Sequence, residues 1–398
     1  MSKKIAIIIE RANIVLGGAE RSVFELTTAL SGLGLEVHIL AAKGQIRHRR
    51  TKNIHILCGD RPGRRVCYFT FAKALRKHLS ENQYSLIHSV LPFEFADVYQ
   101  PRGGAYAESI LRNAASYQNK LLESYKRLTA FINFRRSILL RAERKLAQQP
   151  DGPVIAALSD YVAEQFKQHY GTDARRIVVI PNGVKTDKQI NTGQADRLRT
   201  QILAELGLKE ADNPALFLFA ANNFRLKGLA VLLKAMAAAA RYDMERKSYL
   251  IVSGNGKIHK YRHIAKRLNI SERAVFLGHI GHIQDALSVT DVAILPTFYD
   301  PSSRYILEAL AAGKPVITTR FNGATDLFVN NRHGKVIESA GDISALAEAI
   351  VYFTDTNNIQ KASHAIVEDN IEEKISIRRA AKQLVTVYES ILQRKGQK

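Results

Sequence analysis

Short apolar runs recur along this 398-residue chain, each followed by a turn and a helical pattern. Residues 4–10, Val37–Ala41, Ile54–Leu57, Leu86–Val90, Val154–Leu158 and Ile177–Ile180 form a first series. Leu216–Ala220, Tyr249–Val252, Val275–Leu277, Val292–Leu295 and Val316–Thr318 form a second. Runs of this length bounded by turn residues read as strands buried on both faces. Strands that alternate with helices pair in parallel, because each helix carries the chain back before the next strand starts. Between the two series lies PNGVKTDKQINTGQAD (residues 181–196), polar and rich in turn residues. The chain also exceeds the usual size of one core. The expectation is an α/β protein of two doubly wound, Rossmann-like domains, 1–185 and 186–374. A last helix, 375–395, carries the stripe Ala380, Leu384, Val387 and Ile391, which suits it to pack back on the first domain. Ligands in such sheets bind beyond the carboxyl ends of the strands, so two facing sheets imply a cleft site.

The stretch DVAILPTFYDPSSRYILEALAAGKPVIT (residues 291–318) reads as strand, turn, helix, turn, strand. Asp300 sits in the turn, Ser302 and Ser303 stand where the helix begins, and Glu308 follows on it. A helix start has free N–H groups and partial positive charge, which suits a phosphate. Acids beside that seat can accept hydrogen bonds from the hydroxyls of a sugar and a ribose. Upstream, FRLKG (residues 224–228) follows a strand. Arg225 and Lys227 are one residue apart there, so both can turn toward one anion, the first as a planar fork and the second as a compact charge. The turn Leu16-Gly17-Gly18-Ala19-Glu20 follows the first strand and permits close approach of a ligand to backbone. Neither this turn nor Gly254-Asn255-Gly256 has the spacing of a dinucleotide fingerprint, and no phosphate-binding loop ending in Gly-Lys-Ser/Thr is present. The chain has no Asp-x-Asp, the pair that often holds a divalent ion on a diphosphate. Neutralisation then falls to Arg225, Lys227 and the helix start near Ser302–Arg304. His279 and His282 flank Gly281 without an evident third ligand, which favours a loop contact over a metal.

The net charge is +21, and it is uneven. Residues 1–150 hold 25 Lys+Arg against 11 Asp+Glu, a net of +14, which leaves +7 for the rest. Such an excess favours nucleic acid, anionic lipid or a phosphorylated substrate. No zinc motif, helix-turn-helix spacing or RNA-binding aromatic signature supports the first. Residues 106–148 break the strand–helix alternation with a long helical pattern. In it Arg135, Arg136, Arg141, Arg144 and Lys145 lie near Phe131, Phe134, Ile138 and Leu139. This pattern fits an anionic membrane surface, and it also fits core-packed helices with a solvated basic face. No apolar run approaches the roughly 20 residues of a membrane span. The start, MSKKIAIIIERAN, reads as a first strand rather than a secretory signal. Cys58 and Cys67 are the only cysteines and make no disulfide framework, in keeping with a reducing cytoplasm.

Taken together, these residues resemble the retaining glycosyltransferases of family 4, which have the two-Rossmann GT-B fold. The run LEALAAGKPVI, the Pro-Asn-Gly-Val connection, the Arg-x-Lys-Gly loop and the early Gly-Gly turn carry the likeness, which spans nearly the whole chain. The resemblance implies that Glu308 binds the donor's ribose, Arg225 and Lys227 grip its diphosphate, Gly18 meets phosphate, and backbone around Gly278, His279 and Ile280 contacts the base. Asp300 takes the place of the family's first Glu and Ser303 that of a small Gly, which bears on the choice of donor sugar. The segment DVYQPRGGAYAES (residues 97–109) is similar to one in lipopolysaccharide core glucosyltransferases. It makes Asp97 the first choice for an acceptor-facing carboxylate, with His88 and Glu94 as alternatives. The implied co-substrate is a uridine diphosphate sugar, with no metal and no other cofactor. The implied acceptor is a saccharide, lipid-linked or phosphorylated, reached from the cytoplasm at the inner face of the membrane. A sugar-nucleotide epimerase of the same architecture, a basic nucleic-acid-binding protein and a non-catalytic member of the family are the competing readings.

Overall fold

The structure, a computed structural model, describes residues 3–12, 18–44, 53–59, 66–187, 190–242 and 246–397. The chain divides into two compact units. The first comprises Met1–Leu111, Ser124–Gly183 and Ile377–Lys398, and the second Arg112–Glu123 and Val184–Ser376. A single boundary near residue 185 does not capture the short piece 112–123, which the chain lends to the second unit.

The first unit is built on a seven-stranded sheet. Its strands are β1 (Lys4–Ala12), β2 (Glu36–Gly44), β3 (Ile54–Ile56), β4 (Leu86–Ser89), β5 (Val98–Tyr99), β6 (Val154–Ala157) and β7 (Ile177–Val179). They lie in the order β3-β2-β1-β4-β5-β6-β7, and the pairings are parallel. Successive side chains of β1 point to opposite faces. Ile5, Ile7 and Ile9 enter one core cluster, while Ala6 and Ile8 enter another with Phe71, Leu75 and Phe93. The helix Ile377–Gly396 joins the first cluster through Ala380, Ala381, Leu384, Tyr388 and Ile391. Full burial of side chains of the Leu or Ile class is worth about 1.5–3 kcal/mol each, so this helix is an integral layer of the first unit.

The second unit is built on a six-stranded sheet. Its strands are β8 (Ala215–Ala220), β9 (Ser248–Ser253), β10 (Ala274–Gly278), β11 (Val292–Leu295), β12 (Val316–Thr319) and β13 (Gly334–Ile337). Their order is β10-β9-β8-β11-β12-β13, again with parallel pairings. The architecture is α/β and doubly wound in both units, as the alternation of runs predicts. Two strands escaped that reading. β5 is two residues long, and β13 (GKVI) has a single buried apolar residue, Ile337, so neither makes an apolar run. The polar stretch 181–196 also hides the start of a helix, Thr192–Leu206, capped by the Asn191 side chain, which accepts from the Gln194 N–H.

Residues 106–148 form the helices Tyr106–Ala115, Lys120–Thr129 and Phe134–Gln148, with a 3₁₀ turn at Ala130–Ile132. The two readings of this region divide along it. Leu139, Leu146 and Ala147 of the last helix are buried in the core. The helix Lys120–Thr129 has no buried residue. Among the described residues, no helix is long and apolar enough to cross a membrane.

Candidate active site

Strand order decides where a site can form in the second unit. The chain enters at β8, moves outward to β9 and β10, and then returns to place β11 on the other side of β8. This makes β8/β11 a topological switch point, and in sheets of this kind ligands bind beyond the carboxyl ends of the strands at such a point. The β8 loop carries Arg225 and Lys227. The β11 loop carries Asp300, Ser302 and Ser303 and leads into the helix Arg304–Ala311.

The two loops are pinned to each other. Phe298 N–H donates to the Leu226 carbonyl at 2.9 Å. Gly228 has φ +82°, and a Cβ built there would stand 2.0 Å from the Pro296 carbonyl oxygen. Only glycine permits both that backbone conformation and that approach. Lys227 Nζ donates to Asp300 Oδ2 at 2.6 Å and to the Tyr299 carbonyl at 2.9 Å. The other carboxylate oxygen of Asp300 accepts from the Ser302 N–H at 3.2 Å. Asp300 is thus the hub of the turn, holding the lysine with one oxygen and the approach to the helix with the other.

The helix start is organised by a residue that sequence reading did not single out. The Asn322 side chain is fully buried, accepts from the N–H groups of Ser303 and Ala324 at 3.1 Å each, and donates to Thr318 Oγ1 at 3.0 Å. It lies 19 residues from Ser303 on the loop after β12, and no local spacing reveals such a partner. One turn into the helix, Arg304 donates to Glu308 Oε1 at 3.2 Å, with both side chains about nine-tenths buried. Ser302 and Ser303 are buried as well. The Tyr305 hydroxyl donates to the Leu218 carbonyl and fastens the helix to β8.

Arg225 is held by the piece 112–123. Its Nη1 donates to the Asn113 carbonyl at 2.9 Å and to Ser116 Oγ, its Nη2 to Asn113 Oδ1 at 3.3 Å, and its guanidinium carbon lies 3.9 Å from the centre of the Tyr117 ring. At the end of β10, Gly278 adopts φ +71° and its carbonyl accepts from Gly254 N–H at 2.7 Å and Ser253 Oγ at 3.0 Å. His279 beside it is exposed, and Ile280 is half-buried. Among the described residues, no group of three or more His, Cys, Asp or Glu side chains could hold a metal ion.

The fold thus brings Arg225, Lys227, Asp300, Ser302, Ser303, Arg304 and Glu308 to one edge of one sheet. The first unit treats its candidates differently. Asp97 precedes β5, at the amino end of that strand. Its Oδ2 accepts from Ile87 N–H at 2.8 Å and its Oδ1 lies 2.7 Å from Lys395 Nζ of the last helix. Both oxygens thus have partners within the first unit, and the residue lies at the amino end of its strand, which favours a structural over an acceptor-facing role for Asp97. His88 is fully buried, its Nδ1 2.5 Å from the Tyr388 hydroxyl, and burial lowers its pKa to about 3. Glu94 is exposed in the loop after β4, at the carboxyl edge, and pairs with Lys145 at 3.0 Å. Gly18 begins the helix Gly18–Gly32, and Gly17 lies outside the described residues.

Residues 16–188 match the family described as Glycosyltransferase Family 4, and residues 205–371 match Glycosyl transferases group 1. The chain is 24% identical over 275 residues to the lipopolysaccharide glucosyltransferase WaaG of Escherichia coli K12, covering 69% of this chain and 68% of that one. It is 32% identical over 193 residues, 46% of each chain, to an Escherichia coli UDP-Gal:α-D-GlcNAc-diphosphoundecaprenol α-1,3-galactosyltransferase. Among solved structures, a crystal structure of WaaG superposes with a TM-score of 0.76 at 18% identity, covering 96% of this chain and 99% of that one. The Anabaena protein HepE, in complex with UDP-glucose, superposes with a TM-score of 0.70 at 16% identity, covering 97% and 99%.

Proposed function

The chain belongs to glycosyltransferase family 4, whose members are retaining enzymes that use nucleotide-sugar donors, and from that premise we propose that it moves a hexose from a uridine diphosphate sugar to a lipid-linked saccharide of the lipopolysaccharide core type. The observation that carries this reading is the β8/β11 switch point, where Arg225 and Lys227 share one sheet edge with Asp300, Arg304 and Glu308 from a distant part of the sequence. UDP-glucose in a structural relative and the glucosyl- and galactosyltransferase relatives support the choice of nucleotide and sugar class.

In the proposed reaction the bond between the sugar's anomeric carbon and the diphosphate oxygen breaks as the acceptor hydroxyl oxygen bonds to that carbon on the same face. The hydroxyl proton passes to the leaving phosphate oxygen, so a strong protein base is not required. Negative charge grows on the diphosphate, and donors fixed beforehand stabilise it most. Arg225 and Lys227 take that role without a metal. Asp300 aims Lys227 and holds a sugar hydroxyl, Glu308 binds the ribose, the N–H groups near Ser302, Ser303 and Arg304 receive phosphate, and the Gly278–Ile280 turn meets the base. Glu94, rather than Asp97, takes the acceptor side.

The helix Lys120–Thr129 suggests where the acceptor is met. Leu121, Tyr125 and Leu128 recur at i, i+4 and i+7, and Leu121, Leu128, Ile132 and Phe134 are each more than three-quarters exposed. Lys120, Lys126, Arg127 and Arg136 flank this stripe. An apolar stripe edged by cations fits an anionic membrane surface, which supports action at the cytoplasmic face, where lipid-linked glycans are built.

The test is a thermal-shift panel of sugar nucleotides, followed by transfer to lipid-linked saccharides with any donor that stabilises the protein. A uridine diphosphate sugar that both stabilises the protein and is consumed only with acceptor supports the proposal. An isomerised sugar nucleotide formed without acceptor, or salt-sensitive nucleic-acid binding with no response to any donor, overturns it.

A further inference from the structure

Arginine has five N–H donors, arranged as two on each terminal nitrogen and one on Nε. In Arg225 both Nη1 hydrogens are committed, to the Asn113 carbonyl and to Ser116 Oγ. The two oxygens of Asn113 straddle the Nη1/Nη2 end of the group, the second accepting from Nη2 at 3.3 Å. The Tyr117 ring covers one face at 3.9 Å. What these contacts leave is the Nε/Nη2 edge, whose two parallel N–H bonds match a phosphate bidentately.

The piece that does this holding is itself anchored. Arg112 lies over the Phe321 ring at 3.9 Å, and Phe321 follows β12 and accepts from the Asp300 N–H at 2.9 Å through its carbonyl. The contact is reciprocal: an arginine of the piece stacks on an aromatic of the sheet edge, and an arginine of the sheet edge stacks on an aromatic of the piece. Residues 112–123 are grouped with the second unit although the chain on either side belongs to the first.

We propose that Asn113, Ser116 and Tyr117 are positioning residues that fix Arg225 so that its Nε/Nη2 edge is presented to the diphosphate of the donor. This rests on the donor-binding role given to Arg225 above. A long arginine side chain otherwise loses rotamer freedom each time it grips a ligand, and a bracket that holds it beforehand removes that loss from the binding step.

The experiment measures uridine diphosphate binding by calorimetry in Ser116→Ala, Tyr117→Leu, Tyr117→Phe, Arg225→Ala and the double variant Tyr117→Leu/Arg225→Ala, each checked for an unchanged melting profile. Tyr117→Leu weakens binding about tenfold, in keeping with loss of a partly desolvated cation–π contact, while Tyr117→Phe restores it to near wild type. Ser116→Ala weakens it by a smaller factor. In the Arg225→Ala background Tyr117→Leu has no further effect, which a general structural role would not predict. Loss in Arg225→Ala without loss in Tyr117→Leu and Ser116→Ala overturns the bracket alone. Tighter binding in Tyr117→Leu also overturns it, because the piece then competes with the donor. Unchanged binding in Arg225→Ala overturns the phosphate role of Arg225 and the bracket with it.

Discussion

Two carboxylates show how neighbours, rather than residue type, decide a role. Asp300 and Asp97 each accept from a backbone N–H and from a lysine. The Lys227–Asp300 pair lies at the carboxyl edge of the second sheet, whereas the Lys395–Asp97 pair closes the amino end of β5. Substitution separates them. Lys227→Ala is expected to lower kcat by about 10²–10³-fold, the range for loss of one preorganised charge donor, in a protein that still melts cooperatively. Asp97→Ala is expected to cost about 1–3 kcal/mol of stability, seen as a lower urea midpoint, with kcat close to wild type. A large fall in kcat with unchanged stability in Asp97→Ala would return that residue to the chemistry. Arg225, Lys227 and Glu308 stood out as candidates because each sits in a motif a few residues long. The motif around Asp97 says nothing about which end of a strand it will occupy. Asn322 gave no signal, since its partners are set by pairing of β11 with β12.

At the scale of elements, the site depends on how closely two loops approach. Gly228→Ala would put a Cβ 2.0 Å from the Pro296 carbonyl at a φ of +82°. The β8 loop must then move off the β11 loop. The expected result is a loss of about 1–3 kcal/mol, together with a donor KM that rises because Lys227 no longer meets Asp300. A variant with wild-type stability and KM would remove this glycine from the argument. A second junction ties elements of the first unit. Glu143 on the helix Phe134–Gln148 is fully buried and accepts from the Tyr99 hydroxyl at 2.7 Å, the Tyr170 hydroxyl at 2.5 Å and the Tyr106 N–H at 2.6 Å. Burial raises its pKa from 4.5 to about 7, outweighing the three hydrogen bonds that act to lower it. Between those values the folded chain keeps a proton that the unfolded chain has released. The contribution to stability is therefore complete below about pH 4.5 and is lost as pH rises through about 7. Wild type is expected to lose about 3 kcal/mol relative to Glu143→Gln between pH 4.5 and 7.5, read from urea midpoints at each pH. A difference that does not change with pH would show that Glu143 is ionised in the folded protein. The regular strands and helices were legible from periodicity. This junction was not, because nothing in the helix Phe134–Gln148 marks a glutamate that turns inward.

For the whole molecule, charge and exposed apolar surface act together. A net charge of +21 favours anionic surfaces, but attraction by charge alone is screened by salt. On the proposed reading, insertion of the exposed stripe Leu121, Tyr125, Leu128 and Ile132 adds a contact that salt does not screen. Cosedimentation with vesicles is expected to show binding to phosphatidylglycerol-containing membranes and little to phosphatidylcholine alone. In the variant Leu128→Ser/Ile132→Ser, binding should fall and its residue become fully salt-sensitive. Equal binding of wild type and variant at high salt would mean that the stripe does not insert. The alternation of short apolar runs with helical patterns was enough to dictate two parallel, doubly wound sheets, because burial of both faces of a strand leaves a mark at every residue. The candidate phosphate-binding motifs were equally local, since each lies at one turn between a strand and a helix. Which turns become neighbours is a property of strand order. That order set β8 beside β11 and joined Lys227 to Asp300 across 73 residues, and the piece 112–123 brings Asn113, Ser116 and Tyr117 to Arg225 across more than a hundred. Contacts at such separations follow from how the sheet assembles, and no spacing along the chain encodes them.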